Sequence, residues 1–384
     1  MKTPSHDVFV GLIPLLLGFE LILWIILLPQ SYQGHADFRQ LYAAGYMVRT
    51  HHSYQLYDYD AQLGFQNDVV SRQDAALPFL RPAYEALAFV PLSLLPYRSA
   101  YSVMLLLNLG LCWFCFTLLR TAAESTWLTA GVFACYFPVS MAVLQGQDSI
   151  ALLALMAGSL LALQANRDVR AGILLGLGLF KPQLVLPIAL LMLAWRRWRF
   201  CAGFGFAVAI TTLASMLVSG RNFLPIYWQT VQNITFALPL FRMANVRGLV
   251  VGLTGSHLSG QGIAEVVFGL SILVFCIVAA GKKHTLESAI LCATLISYYL
   301  LPHDMTILII PILTAFRLGD EVLKFVAIAC IAAPMLIVVP SYFYLALIPA
   351  LLLVLFNTFT LCQMSLTCVT ILRTSSSSAP PTAP

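Results

Sequence analysis

The stretch "AGILLGLGLFKPQLVLPIALLMLAW", residues 171–195, is long and apolar enough for one membrane crossing, yet Lys181 and Pro182 stand near its middle. It is preceded by "RDVR" (167–170) and followed by "RRWRF" (196–200), and both flanks have the arginine-rich character of cytoplasmic span ends. A single crossing would put one of them on the wrong side. Two half-helices broken at Lys181 and Pro182 satisfy both flanks, because proline removes a backbone donor and disfavours helix at the residue before it. The stretch is therefore predicted to be a broken re-entrant hairpin with Lys181 at its tip. An ammonium left in hydrocarbon costs roughly 3 kcal/mol, so a lysine kept there points to a functional role. The structural alternative is that its stem snorkels to the interface.

Outward from this hairpin the rest of the chain reads as membrane protein. Of its 384 residues, 60% are hydrophobic and only 10% charged, and mean hydropathy is +0.87, values that exclude a soluble domain. The run from Val8 to Leu28 has spanning length and no small-residue cleavage site after it, so it is expected to be a first span rather than a removable signal. Further spans are predicted near 99–119, 127–144, 149–165, 201–219, 262–281, 286–301, 305–316, 322–339 and 343–372, of which 305–316 is short for a full crossing. That gives about ten crossings plus the hairpin, with both termini cytoplasmic and residues 30–96 on the outer side. Within that outer region, "YEALAFVPLSLLP" (84–96) is too short and proline-rich to cross and is expected along the interface. The net charge of +5 sits at span ends and calls for no nucleic-acid partner. Nine cysteines lie in or beside apolar runs and read as packing residues, "CWFC" (112–115) included, since it lacks partner ligands for a metal. No internal repeat is visible, which argues against an inverted-repeat transporter. The ending "TSSSSAPPTAP" (374–384) is expected to be a disordered cytoplasmic tail, leaving residues 1–373 as one transmembrane domain.

The longest polar segment follows the first span. In "HADFRQLYAAGYMV" (35–48), Phe38, Leu41, Gly45 and Val48 recur at helical spacing, which predicts an amphipathic helix over 38–49 lying on the membrane. Asp37 stands just before it. "DFRQ" has the pattern of a capping box, so capping alone is a sufficient reading of Asp37 and Gln40. "DYD" (58–60) resembles the metal-binding acid pair of nucleotide-sugar transferases, but an outer loop meets no nucleotide sugars, and no metal site is expected.

Six stretches occur in order between residues 37 and 313: "DFRQLYAAG" (37–45), "YQLYDYDA" (54–61), "FLRPAYEALAFVPLSLLP" (79–96), "LQGQDSIALLAL" (144–155), "GLGLFKPQLVLP" (176–187) and "YYLLPHDMTILIIPIL" (298–313). Together they resemble glycosyltransferase family 87, a branch of the GT-C superfamily of polytopic sugar transferases. The resemblance implies an all-α GT-C-like bundle and a hexosyltransferase, inverting, that moves mannose or another hexose from a polyprenyl-phosphate sugar to a glycolipid or glycan in the cell envelope. It implies no cofactor beyond the lipid-linked donor. It makes Asp37 the catalytic acid of the first outer loop, acting as general base. The departing phosphate needs cations, drawn from Lys181, Arg81 and His303. Tyr84, Gln145, Gln147, Asp148 and Asp304 are the remaining candidates to line the substrate cavity. For Gln145, Gln147 and Asp148 the alternative is that they end one span and cap the next, and for Asp304 that it caps a helix. Two other functions fit the same charges: a transporter or flippase for a lipid-linked or anionic substrate, which needs no base, and a scaffold subunit of an envelope complex.

Overall fold

The opening apolar run folds as α1 (Pro4–Gln30), passes into one π-helical turn, Ser31–His35, and breaks there at Gly34, whose φ is 90°. A computed structural model describes residues 4–120, 125–232, 240–255, 261–279, 285–318, 320–338 and 342–358, and every regular element among them is helical. After α1 come the three helices of the polar segment, α2 (Phe38–Arg49), α3 (Tyr59–Val69) and the single turn α4 (Ala86–Phe89). Apolar helices follow: α5 (Tyr97–Leu119), α6 (Thr126–Cys135), α7 (Phe137–Leu144), α8 (Ser149–Gln164), α9 (Asp168–Leu177), α10 (Pro182–Ala194) and α11 (Trp198–Ser219). The remaining helices are α12 (Phe223–Gln232), α13 (Val246–Thr254), α14 (Gln261–Ala279), α15 (Thr285–Ile296), α16 (Ile309–Leu318) and α17 (Glu321–Ala332), with a last apolar helix over Phe343–Thr358.

Four of these helices are long and apolar enough to cross a membrane alone, in the segments Pro4–Arg49, Tyr97–Leu119, Trp198–Ser219 and Gly262–Ala279. The pair α6 and α7, bent by 57°, makes a fifth if it counts as one span. The chain is thus a multi-pass membrane protein, but ten crossings exceed what helix length supports among the described residues. The reason is visible at residues 286–301. That run ends as helix at Ile296, and Leu301 is extended (φ −100°, ψ 161°) as the residue before Pro302 must be. Residues 305–316 are likewise divided between a 3-10 segment, Pro302–Leu308, and α16. The tail 374–384 and the far half of the 343–372 run lie outside the described residues.

The hairpin stretch breaks at Lys181, whose φ of −121° and ψ of 70° lie between the 3-10 turn Gly178–Phe180 and α10. Its two ends meet: Arg197 Nη1, just after α10, lies 3.4 Å from Asp168 Oδ1 at the start of α9. The chain runs out along α9 and back along α10, and Lys181 is at the turn. The flank that follows then runs beside α9 as α11. Their backbones touch because Gly172 and Gly203 have no Cβ; one added at Gly172 would collide with the Phe200 carbonyl, one at Gly203 with that of Val169.

One expectation fails. Helix α2 has the predicted bounds but does not lie on a surface, since eight of its twelve residues are buried, including Arg39 and Gly45. The aromatic cluster it joins explains this. Phe38 packs against Tyr97 (5.8 Å between ring centroids) and Tyr101 (6.1 Å), and Tyr42 meets Tyr97 edge-on at 5.5 Å. Arg39 is wholly buried, with Nε donating to Gln66, Nη1 to Ser71 and Nη2 to Asn67, so it ties α2 to α3 rather than facing water.

Candidate active site

The site grows from the turn between α7 and α8, "QGQD" at 145–148. Gly146 has a φ of +60°, and a Cβ there would stand 2.7 Å from Phe38 Cβ, so both backbone and space require glycine. The turn is fastened from three sides. The backbone N–H of Phe38 donates to the Gln145 carbonyl (2.9 Å), that of Asp37 donates to Gln145 Oε1 (2.9 Å), and Asn108 Nδ2 in mid-α5 donates to the Gln147 carbonyl (3.0 Å). Gly146→Ala is expected to lower stability by about 1–2 kcal/mol for the left-handed backbone alone. It should also push Phe38 off the turn, so a thermal melt should show the loss and turnover should fall with it.

This fastening sets Asp37. Its backbone is already helical (φ −59°, ψ −22°), and its side chain makes no capping bond to α2. Instead Asp37 Oδ2 accepts from Gln147 Nε2 at 2.7 Å. The capping-box reading is therefore wrong for Asp37, while Asp58, extended at φ −85° and ψ 117°, does cap α3 by accepting from the Ala61 N–H (3.0 Å).

Gln147 carries the contact onward, because its Oε1 accepts from Arg81 Nη2 at 2.7 Å. Arg81 Nη1 also pairs with Asp148 Oδ2 at 2.9 Å, and Arg81 Nε is 3.7 Å from Glu85 Oε2. Asp148 Oδ1 lies 2.9 Å from Lys181 Nζ. Lys181, with a side chain 0% exposed, also donates to Ser149 Oγ (2.6 Å) and to Asp304 Oδ1. Two hydrogen bonds and one further ion pair thus hold the ammonium. Asp304 is held on its other oxygen by the Leu301 N–H (3.1 Å), which keeps its helix-start role as well. His303 stands between the acids, Nδ1 3.7 Å from Asp37 Oδ2 and Nε2 3.6 Å from Asp304 Oδ1. Burial lowers the affinity of the His303 imidazole for a proton. Burial, with Asp148 adding to it and Arg81 opposing, raises the Glu85 carboxyl well above the ordinary carboxylate range.

A cavity of about 440 Å³ opens on this network. Asp37, Gln40, Arg81, Gln147, Tyr59 and Tyr299 are among the residues that line it. Asp37 is the only carboxylate and Arg81 the only cation on its wall among the described residues. Asp37 reaches it with a side chain 25% exposed. The sequence-derived candidates thus divide. Lys181, His303, Asp148 and Asp304 belong to the charge network but are not on the cavity wall. Gln145 spends its side-chain oxygen on the Asp37 backbone. Tyr84 is turned away, its hydroxyl donating to the Leu177 carbonyl (3.1 Å) and its N–H to Ser215 Oγ (3.1 Å). Asn108, Ser149, Glu85, Tyr59 and Tyr299 were not singled out by sequence, and Gln40 was read only as a capping partner. Asn108 had a signal, a lone amide in an apolar span. Among the described residues, no set of three or more His, Cys, Asp or Glu side chains is placed to hold a metal ion.

Comparison with known proteins adds one match. The family model for Glycosyltransferase family 87 matches residues 79–303, more than half of the chain. That range contains Arg81, Gln147, Asp148, Lys181 and His303, and it begins after Asp37. No curated protein and no solved structure matches the chain.

Proposed function

The chain belongs to glycosyltransferase family 87, a GT-C-type family of membrane glycosyltransferases, and on that footing we propose that it transfers a hexose from a polyprenyl-phosphate sugar to an acceptor hydroxyl. Mannose is the leading sugar, a glycolipid or glycan the acceptor, and the non-cytoplasmic face the side of reaction. The acceptor oxygen attacks the anomeric carbon, the bond to the phosphate oxygen breaks, and the configuration inverts. The acceptor proton goes to Asp37 as general base. The departing phosphate takes the electron pair, and its charge is met by the Arg81 guanidinium.

The observation that carries this reading is the cavity wall, where one carboxylate and one guanidinium are joined through a single side chain, Gln147. A base and a phosphate holder at fixed separation are what this displacement asks of a protein. Lys181 acts at one remove in this proposal. Its ammonium pairs with Asp148, and Asp148 pairs with Arg81. His303, disfavoured as a cation by burial, serves as a neutral N–H donor beside Asp37 and Asp304.

The test is an assay of the purified chain with a radiolabelled polyprenyl-phosphate hexose and a membrane lipid extract as acceptor. Donor should be consumed, with free polyprenyl phosphate and a labelled lipid product appearing together. If the intact donor only crosses the bilayer of a proteoliposome and no polyprenyl phosphate is released, the transferase reading fails and transport replaces it.

A further inference from the structure

One face of α8 is only partly covered by the rest of the protein. Between α5, α8 and α9 runs a groove of about 570 Å³, walled by apolar side chains such as Leu111, Phe114 and Leu174 and floored by Ala154 and Gly158. It follows α8 from Ala151 to Ala165, about 21 Å at 1.5 Å per residue. The charge it carries is all at one end, where Arg167 and Arg170 close it. Both arginines are exposed, and neither guanidinium makes a hydrogen bond or ion pair among the described residues. Their neighbour Asp168 is taken by Arg197 instead.

This end lies at a membrane boundary. It is where the two ends of the α9–α10 hairpin meet, and Trp198, 63% exposed, stands beside Arg196 and Arg199 there. Exposed tryptophan and arginine collect at the depth of lipid headgroups. A groove between membrane helices with free arginines at that depth is complementary to a negative headgroup carrying a hydrocarbon chain.

We infer that the α5–α8–α9 groove binds an anionic phospholipid, its phosphate on Arg167 and Arg170 and one acyl chain along α8. The opposite orientation, with an isoprenoid phosphate at the active-site end, lacks a partner. At Ala151 and Leu155 the groove has no charged lining, and Lys181, which bonds Ser149 two residues earlier, is buried and already paired with Asp148 and Asp304. The site is thus separate from the donor and rests on the membrane embedding alone.

The test uses the full chain reconstituted in nanodiscs of equimolar phosphatidylcholine and phosphatidylglycerol, then released for native mass spectrometry. Wild-type protein should retain a phosphatidylglycerol in preference to phosphatidylcholine. In the Arg167→Gln/Arg170→Gln double variant, phosphatidylglycerol retention should fall on the order of 10-fold or more, since each basic residue near a membrane surface adds to anionic-lipid attraction. Phosphatidylcholine retention should not change. Ala154→Phe, which fills the groove and keeps both arginines, should also lose the phosphatidylglycerol. The exposed arginine substitutions decide the matter alone if Ala154→Phe lowers the melting temperature. Equal retention of the two lipids by wild-type protein, or undiminished phosphatidylglycerol on the double variant, overturns the site. So does full retention by well-folded Ala154→Phe, which would leave surface attraction only, or displacement by a short polyprenyl phosphate, which would give the groove to the donor.

Discussion

Asp37→Asn should fold, bind donor like wild type and lose turnover by roughly 100-fold or more, the usual range for removing a general base. The structure makes this a clean substitution. The interaction that holds the residue is one oxygen accepting from Gln147 Nε2, and an asparagine carbonyl accepts the same bond. Its backbone N–H bond to the Gln145 side-chain oxygen does not involve the Asp37 side chain and remains. No helix cap is lost, since the carboxylate caps nothing. What disappears is the capacity to take the acceptor's proton. Asp58→Asn is the matched control: there the acid is a cap, asparagine caps as well as aspartate, and activity should stay near wild type. Single-turnover kinetics with saturating donor separate the chemical step from binding. Turnover within a few-fold of wild type in Asp37→Asn would remove the base from this position, and a loss in Asp58→Asn instead would move it to the second acidic cluster.

The same pair of acids marks where the sequence was legible and where it stopped being so. "DFRQ" reads locally as a helix start, so local pattern favours capping for Asp37, whereas "DYD" carried no such reading and Asp58 is the acid that caps. What separates Asp37 from Asp58 is a bond to Gln147, 110 residues along the chain, and no local pattern contains that. The helices themselves were legible because apolar runs and prolines are local. The bounds of α2 and the break at Lys181 and Pro182 follow from spacing and from the missing proline donor. Burial of α2 was not legible, because Arg39 and Tyr42 look polar in a period count while their partners come from α3 and α5. Nor was the number of crossings, since hydropathy sums across breaks such as the one before Pro302. The ordered set of stretches grouped the candidate residues in a way no single residue could. It brought Asp37, Arg81, "QGQD", Lys181 and His303 onto one list, and the structure puts all of them in one connected network.

Lys181 was expected from sequence to meet the donor phosphate, and its surroundings lead to a different expected result for Lys181→Met. Methionine keeps the packing volume but leaves Asp148 and Asp304 in the interior without the cation that pairs them. Removing one partner from a buried ion pair costs about 3–5 kcal/mol, because the remaining charge has neither water nor a counterion. The variant should therefore unfold at markedly lower denaturant in detergent micelles, before any effect on donor affinity is considered. Arg81 still pairs with Asp148, so the larger share of the cost falls on Asp304, which among the described residues has no other cation within ion-pair distance except His303, whose charging burial opposes. That asymmetry supplies the decisive comparison. Lys181→Met/Asp304→Asn removes the stranded charge while an amide oxygen retains the bond from the Leu301 N–H, so the double variant should be more stable than Lys181→Met alone. The coupling in a double-mutant cycle should lie in the range of about 0.5–3 kcal/mol found for residues in direct contact. If Lys181→Met is instead as stable as wild type and loses only donor affinity, then the ammonium faces the phosphate in the working protein, and the chain of contacts from Lys181 through Asp148 to Arg81 does not describe how this site holds its charge.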